Sequence, residues 1–173
     1  MRFTTFTTPL GELLLVGDDA GLRRLSFLDG PQPAAIEERW QRDDESFAEA
    51  REQLLGYLEG RRRSFSLDVA PGGNDFQRDV WAALVRIPYG ETRTYGGLAR
   101  RLGRDKAASA VRAANDANPL PLLIPCHRVV AAAGVGGYSG GEALKQRLLD
   151  LKGARPGNDA AAPARRATDI LPS

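Results

Sequence analysis

The chain has one cysteine, one histidine and one methionine among its 173 residues, and aromatic residues make up only 7% of it. One cysteine excludes an internal disulfide, and one cysteine with one histidine excludes the three or four Cys/His ligands of an ordinary zinc site. No apolar run approaches the roughly 18 residues that a membrane-spanning helix needs. The opening MRFTTFTTPL lacks the apolar stretch of a signal peptide. There is no internal repeat and little net charge, 24 Lys and Arg standing against 22 Asp and Glu for +2. What remains, 42% hydrophobic and 27% charged residues, is the composition of an ordinary globular protein rather than a disordered chain. Stability is expected from packing alone, in a cytoplasmic, reducing compartment where the lone thiol stays free.

The small net charge hides an asymmetry. Residues 1–75 hold 9 basic against 14 acidic side chains, whereas residues 76–155 hold 13 against 6. An acidic half joined to a basic half suggests two domains, the second suited to a polyanion such as nucleic acid. Two solvated faces of unequal charge are the plainer alternative.

Local pattern supports a division. RFTTFTT, ELLLVGD and LRRLSFLD are separated by Pro9-Leu10-Gly11 and Gly21, as in an antiparallel meander. From Asp44 to Glu59, Phe47, Leu54, Leu55 and Leu58 recur at helical spacing, and SFSLDVA alternates like a further strand. Pro71-Gly72-Gly73 then has the composition of a connection, giving expected domains at 1–72 and 73–155 with a tail at 156–173. Asn74 and Gln77 form a capping-box pattern ahead of the apolar face Phe76, Val80, Trp81, Leu84 and Val85. Thr94 is placed to cap YGGLARRL, which Gly103 closes, and Asp105 to cap KAASAVRAAN. Two short helices so joined fit a helix-turn-helix. EALKQRLLDLK is a last helix ending at Gly153.

The only cysteine and the only histidine are adjacent in Pro125-Cys126-His127-Arg128. An imidazole and a guanidinium beside a thiol favour the reactive thiolate. On the residues alone, Cys126 also reads as a small buried hydrophobe and His127 as a satisfied core side chain. The flanking prolines and basic surroundings favour a nucleophile.

NPLPLLIPCHRVV followed by GYSGGEALKQRLL, and upstream FQRDVWAALVRIPYGETRTYGGLA, closely resemble the O6-alkylguanine-DNA alkyltransferases. The resemblance covers residues 74–153 and the β-rich plan of the first 70. It implies an α/β (α+β) protein with an N-terminal ribonuclease-H-like domain and a C-terminal winged-helix domain carrying the thiol. The implied activity is single-turnover repair of double-stranded DNA containing O6-alkylguanine, with O4-alkylthymine a second candidate. The damaged base is rotated out of the helix and its alkyl group passes irreversibly to the protein. The resemblance makes Cys126 the acceptor and His127 the base that activates it through water. Tyr95 stands near the leaving oxygen, Asn118 shapes the active-site turn, and Tyr138 with Ser139 covers the base. The DNA-contacting set is Gln77, Tyr95, Arg104, Ser109, Arg112 and Arg128. No metal, diffusible cofactor or membrane is implied, the zinc ligands of some members are missing, and a monomer is expected.

Two positions depart from the pattern. Ser109 replaces an arginine that fills the gap left by the rotated base, and Arg112, three residues on along the same helix, is the expected substitute. Lys152 replaces a glutamate that holds the histidine, and Asp150 lies about 200° around the helix from it. A protein that binds alkylated DNA but transfers poorly is therefore the second reading. In the alkyltransferase-like binding proteins the cysteine itself is replaced, so its presence here favours transfer. A winged-helix transcription factor leaves Cys126-His127 unexplained, and a cysteine hydrolase lacks a sequence signal for an oxyanion hole.

Overall fold

RFTTFTT turns Thr4, Phe6 and Thr8 inward at every second position, and in the computed structural model, which describes residues 1–132, 134–138, 140–151 and 155–156, it forms strand β1 (Arg2–Thr8). Strand β2 (Gly11–Asp18) reads differently, because Leu13 to Val16 are all buried. Successive side chains of a strand point to opposite faces, so burial of all four means that both faces of β2, the strand between β1 and β3 (Gly21–Phe27), are covered there. Both pairings are antiparallel, as expected of a meander, in a register running from Arg2↔Gly17 to Thr8↔Gly11 and from Leu13↔Phe27 to Asp18↔Gly21. A short β4 (Gln41–Arg42) joins β1 in parallel, giving the order β3-β2-β1-β4. Two exposed polar residues carry no strand signal, so β4 was not legible.

SFSLDVA is not the expected strand. It contributes one bridge, Val69 to Leu22, with Leu22 N donating to Asp68 O (2.9 Å) and Ala70 N to Leu22 O (2.7 Å). The outer edge of β3 explains why no ladder forms: farther along it, Leu25 N donates to Pro119 O (2.9 Å). That edge is shared between two segments.

The expected helix over 44–59 is a 3-10 turn (Glu45–Phe47) leading into α1 (Ala48–Leu58). Helix α2 (Asp75–Val85) begins with the capping box the sequence shows, Gln77 N donating to Asn74 Oδ1 (2.8 Å) and Asn74 N to Gln77 Oε1 (3.0 Å). Such a cap is worth about 0.5–2 kcal/mol. Thr94 ends β5 (Glu91–Thr94) and caps α3 (Tyr95–Arg101) by accepting from Gly97 N at 3.0 Å. Gly103, at φ +69°, stops that helix in the left-handed region that favours glycine.

Helix α4 (Ala108–Asp116) starts two residues later than expected and has no side-chain cap. Ala107 N donates to Arg104 O (2.8 Å), closing a turn that holds Asp105 two residues ahead of the N-cap position, Ala107. Helices α3 and α4 pack together as the helix-turn-helix, and Trp81 Nε1 ties α2 to α4 by donating to Ala114 O (2.9 Å). Beside them β5 pairs in parallel with β6 (Val129–Val130) and β7 (Arg155–Pro156). Helix α5 (Glu142–Leu151) follows the glycine-rich loop. One continuous buried cluster runs from Leu13 and Leu54 through Trp81 and Val111 to Val129 and Leu148, so both halves share a core. Among the described residues no helix is long and apolar enough to cross a membrane. Apart from Pro156, the expected tail lies outside them.

Candidate active site

The cysteine is delivered by a loop that Asn118 holds in shape. Its buried side chain donates from Nδ2 to Ile124 O (2.8 Å) and accepts from Leu120 N at Oδ1 (2.9 Å). Ile124 N also donates to Leu120 O (2.9 Å), and Cys126 N to Ile124 O (2.7 Å). Between them Leu122 adopts φ +75° while only 1% exposed. That left-handed backbone is costly for a branched side chain and is held here by packing.

Cys126, His127 and Arg128 form a 3-10 turn, all three buried. At three residues per turn, successive side chains diverge by about 120°, and this separates groups the sequence places together. Arg128 turns inward, donating to Ile87 O (2.6 Å) and Tyr57 Oη (3.2 Å). It is therefore structural, and its expected place on the DNA face is corrected. His127 lies with Nε2 3.5 Å from Tyr57 Oη and its ring 6.3 Å from that of Tyr138.

The cation beside the thiol comes instead from α5. Lys145 is fully buried, and its Nζ donates to Val129 O (2.6 Å) and Gly137 O (3.2 Å) and lies 5.9 Å over the Tyr95 ring. Burial brings its ammonium down to about 8, opposed by nearby Cys126 and Asp116. The same burial pushes the Cys126 thiol up to about 11, against a hydrogen bond from Asn118 and the charge of Lys145. The expected help from the adjacent guanidinium is thus corrected: Arg128 turns away from the sulfur, and the cation that faces the thiol is Lys145.

Tyr95 closes another side. It is buried, its hydroxyl has no hydrogen-bond partner among the described residues, and burial raises its pKa. Gly136, at φ +79°, passes so near that a Cβ there would stand 2.9 Å from Tyr95 Oη and 3.3 Å from Lys145 Nζ. Only glycine fits that approach. Tyr138 packs on Phe27 of β3 at 5.5 Å between ring centroids, and burial keeps its hydroxyl protonated well above the ordinary range. Ser139 and Lys152 lie outside the described residues. Asp150 is exposed and accepts from Gln146 Nε2 (2.8 Å).

The residues expected to meet DNA are less uniform. Ser109 and Arg112 stand exposed on α4, opposite buried Val111, Ala114 and Asn115. Arg112 Cζ lies 5.2 Å over the Tyr95 ring, and exposed Arg104 lies 5.1 Å over Phe76. Gln77 is half-buried and committed to the capping box.

Sequence reasoning missed Lys145 and Tyr57. Each left a trace, a polar group on an apolar helical stripe: Lys145 with Leu148 and Leu149, Tyr57 with Leu54 and Leu58.

Residues 1–71 match the ribonuclease-like domain of 6-O-methylguanine DNA methyltransferase, and residues 75–154 match its DNA-binding domain. The methylated-DNA–protein-cysteine methyltransferase of Methanosarcina acetivorans is 43% identical over 155 residues, 89% of this chain and 99% of that protein. That of Mycobacterium tuberculosis strain H37Rv is 40% identical over 157 residues, 90% and 94% of the two chains. The crystal structure of M. tuberculosis OGT in complex with DNA superposes with a TM-score of 0.81 at 39% identity, covering 88% of this chain and 93% of that one. The resemblance read from the cysteine motif and the fold it implied are therefore borne out, and this chain belongs to the methylated-DNA–protein-cysteine methyltransferase family.

Proposed function

We propose that this chain is a DNA repair protein that takes the alkyl group of O6-alkylguanine, and secondarily of O4-alkylthymine, onto Cys126. The observation that carries the reading is the sole thiol, buried among Asn118, Lys145, Tyr95 and Tyr138. The α4 face next to it presents Arg112 and Ser109 outward. The Cys126 proton leaves first, by way of water and His127. The thiolate then attacks the alkyl carbon, forming a carbon–sulfur bond as the carbon–oxygen bond to guanine breaks. The leaving guanine takes a proton, and the unpartnered Tyr95 hydroxyl is the donor beside it. A thioether does not hydrolyse, so each molecule acts once. Asn118 holds the loop, while Tyr138 and Ser139 cover the extruded base. The reading carries with it monomeric action and a reducing compartment. A binding protein without transfer is disfavoured by the intact cysteine.

Intact-mass spectrometry after incubation with duplex containing O6-methylguanine tests this. One methyl group per protein molecule is expected, with repair ending at one equivalent; an unchanged mass in folded protein overturns the enzyme reading.

Arg112 fills the gap left in the duplex in place of the arginine replaced by Ser109. Its exposed guanidinium already lies 5.2 Å over the Tyr95 ring, a contact of about 0.5–1 kcal/mol. Arg112→Ala is therefore expected to slow transfer from duplex DNA by about 2- to 5-fold. Reaction with a free alkylguanine base, which needs no rotation, should stay unchanged, and Ser109→Arg should restore the duplex rate. A variant that loses only affinity, with its rate at saturating DNA intact, would make Arg112 an ordinary phosphate contact.

A further inference from the structure

The loop that carries Tyr138 leans on the N-terminal half at one ring. Phe27 ends β3 and is 4% exposed. The strand is pinned there, Leu28 N donating to Glu12 O (2.9 Å) and Gly30 N to Phe27 O (3.1 Å). Tyr138 lies tilted on Phe27, 5.5 Å between ring centroids. Gly140 passes so close that a Cβ there would stand 2.9 Å from Phe27 Cδ2. Gly141 N donates to Tyr138 O (2.9 Å), closing the turn that carries the tyrosine. The Tyr138 hydroxyl has no hydrogen-bond partner among the described residues, so packing alone holds its ring. The same ring borders the reacting groups: it stands edge-on to His127 at 6.3 Å, and a negative charge on Cys126 reaches its hydroxyl.

We propose that Phe27 is a positioning residue that sets the room left for the transferred alkyl group: by backing Tyr138, it fixes how far that ring stands from the sulfur. A wall built on a paired strand holds its place better than one built on a loop. The carbon that is transferred must lie against Cys126, so whatever that carbon carries competes with Tyr138 for space. A methyl group carries only hydrogen, whereas a benzyl group carries a ring. Strand β3 thus holds two walls of the site, since Leu25 N fixes the cysteine loop at Pro119 O (2.9 Å). The proposal rests on the reading above that Cys126 accepts the alkyl group.

Transfer rates from two duplexes, one holding O6-methylguanine and the other O6-benzylguanine, test this in the full-length protein. Phe27→Leu, which removes the flat ring, is expected to raise the benzyl-to-methyl rate ratio by about 2- to 10-fold, the range of one aromatic pair. Phe27→Met, a milder change, should move the ratio in the same direction. A purely structural role would lower stability and slow both transfers alike. An unchanged ratio in either folded variant overturns the proposal. Because the chain holds one cysteine, N-methylmaleimide and the larger N-phenylmaleimide probe the same space without DNA. Labelling by the larger reagent should gain on the smaller in both variants. An unmodified protein that took no alkyl group from either duplex would overturn the reading of its function, while the labelling ratio would still decide what Phe27 does.

Discussion

Cys126→Ser is expected to abolish alkyl transfer altogether while leaving the fold and binding to alkylated duplex intact. A serine hydroxyl ionises far above any working pH, and its oxygen is a poor nucleophile toward an alkyl carbon, so no slower version of the reaction remains. The folded protein tolerates the change because Asn118 already faces position 126 as a hydrogen-bonding partner and meets the new hydroxyl. Binding is spared because the cations at Arg104 and Arg112 lie on the outer face, away from the buried sulfur. Intact mass and fluorescence anisotropy read the two outcomes separately. A variant that still gains a methyl group would place the acceptor elsewhere.

Lys145→Met should have the next largest effect, and on two quantities. Removing the ammonium leaves buried Val129 O without that donor, at about 1–3 kcal/mol, and takes one bond from Gly137 O on the exposed loop. It also removes the countercharge facing Cys126, raising the thiol further and lowering the thiolate fraction. Alkyl transfer at pH 7 should therefore fall by about tenfold or more, a single pKa unit being a factor of ten in thiolate. In the unmodified protein the rate should climb with pH and flatten above about 8, where Lys145 loses its proton.

Stability supplies an independent check on the sign. The folded lysine sits near 8 against an ordinary 10.5, so above about 8 the unfolded chain binds more protons and stability rises with pH. The raised thiol, whose ordinary value is 9.0, works in the opposite direction only from there upward. Chemical denaturation between pH 8 and 9 should show a rise that Lys145→Met lacks. An unchanged transfer profile in a folded variant would remove Lys145 from the thiol's surroundings.

What the sequence revealed depended on how far each interaction reached along the chain. Asn74 with Gln77, and Thr94 with Gly97, act within one turn, and their hydrogen bonds are those the pattern shows. The adjacency of Cys126 and His127 located the site, but adjacency misled about its charge, because a 3-10 turn sends Arg128 toward Ile87 and Tyr57. The cation that does face the sulfur arrives on α5, and the group beside the imidazole arrives on α1. Strand β4 and the pairing of β5 with β6 involve two-residue strands, too short for alternation to register. SFSLDVA had the alternation without an edge free to receive it.

The bond from Leu25 N to Pro119 O joins the outer strand of one half to the loop that delivers the cysteine in the other. Neither partner opens alone: exposing the Leu25 amide requires the loop held by Asn118 to lift, and lifting the loop uncovers the strand. Strand and loop therefore make one cooperative unit of local unfolding. Amide exchange at Leu25 then becomes a gauge of how often the Cys126 loop departs from its resting shape, read from the opposite half of the chain.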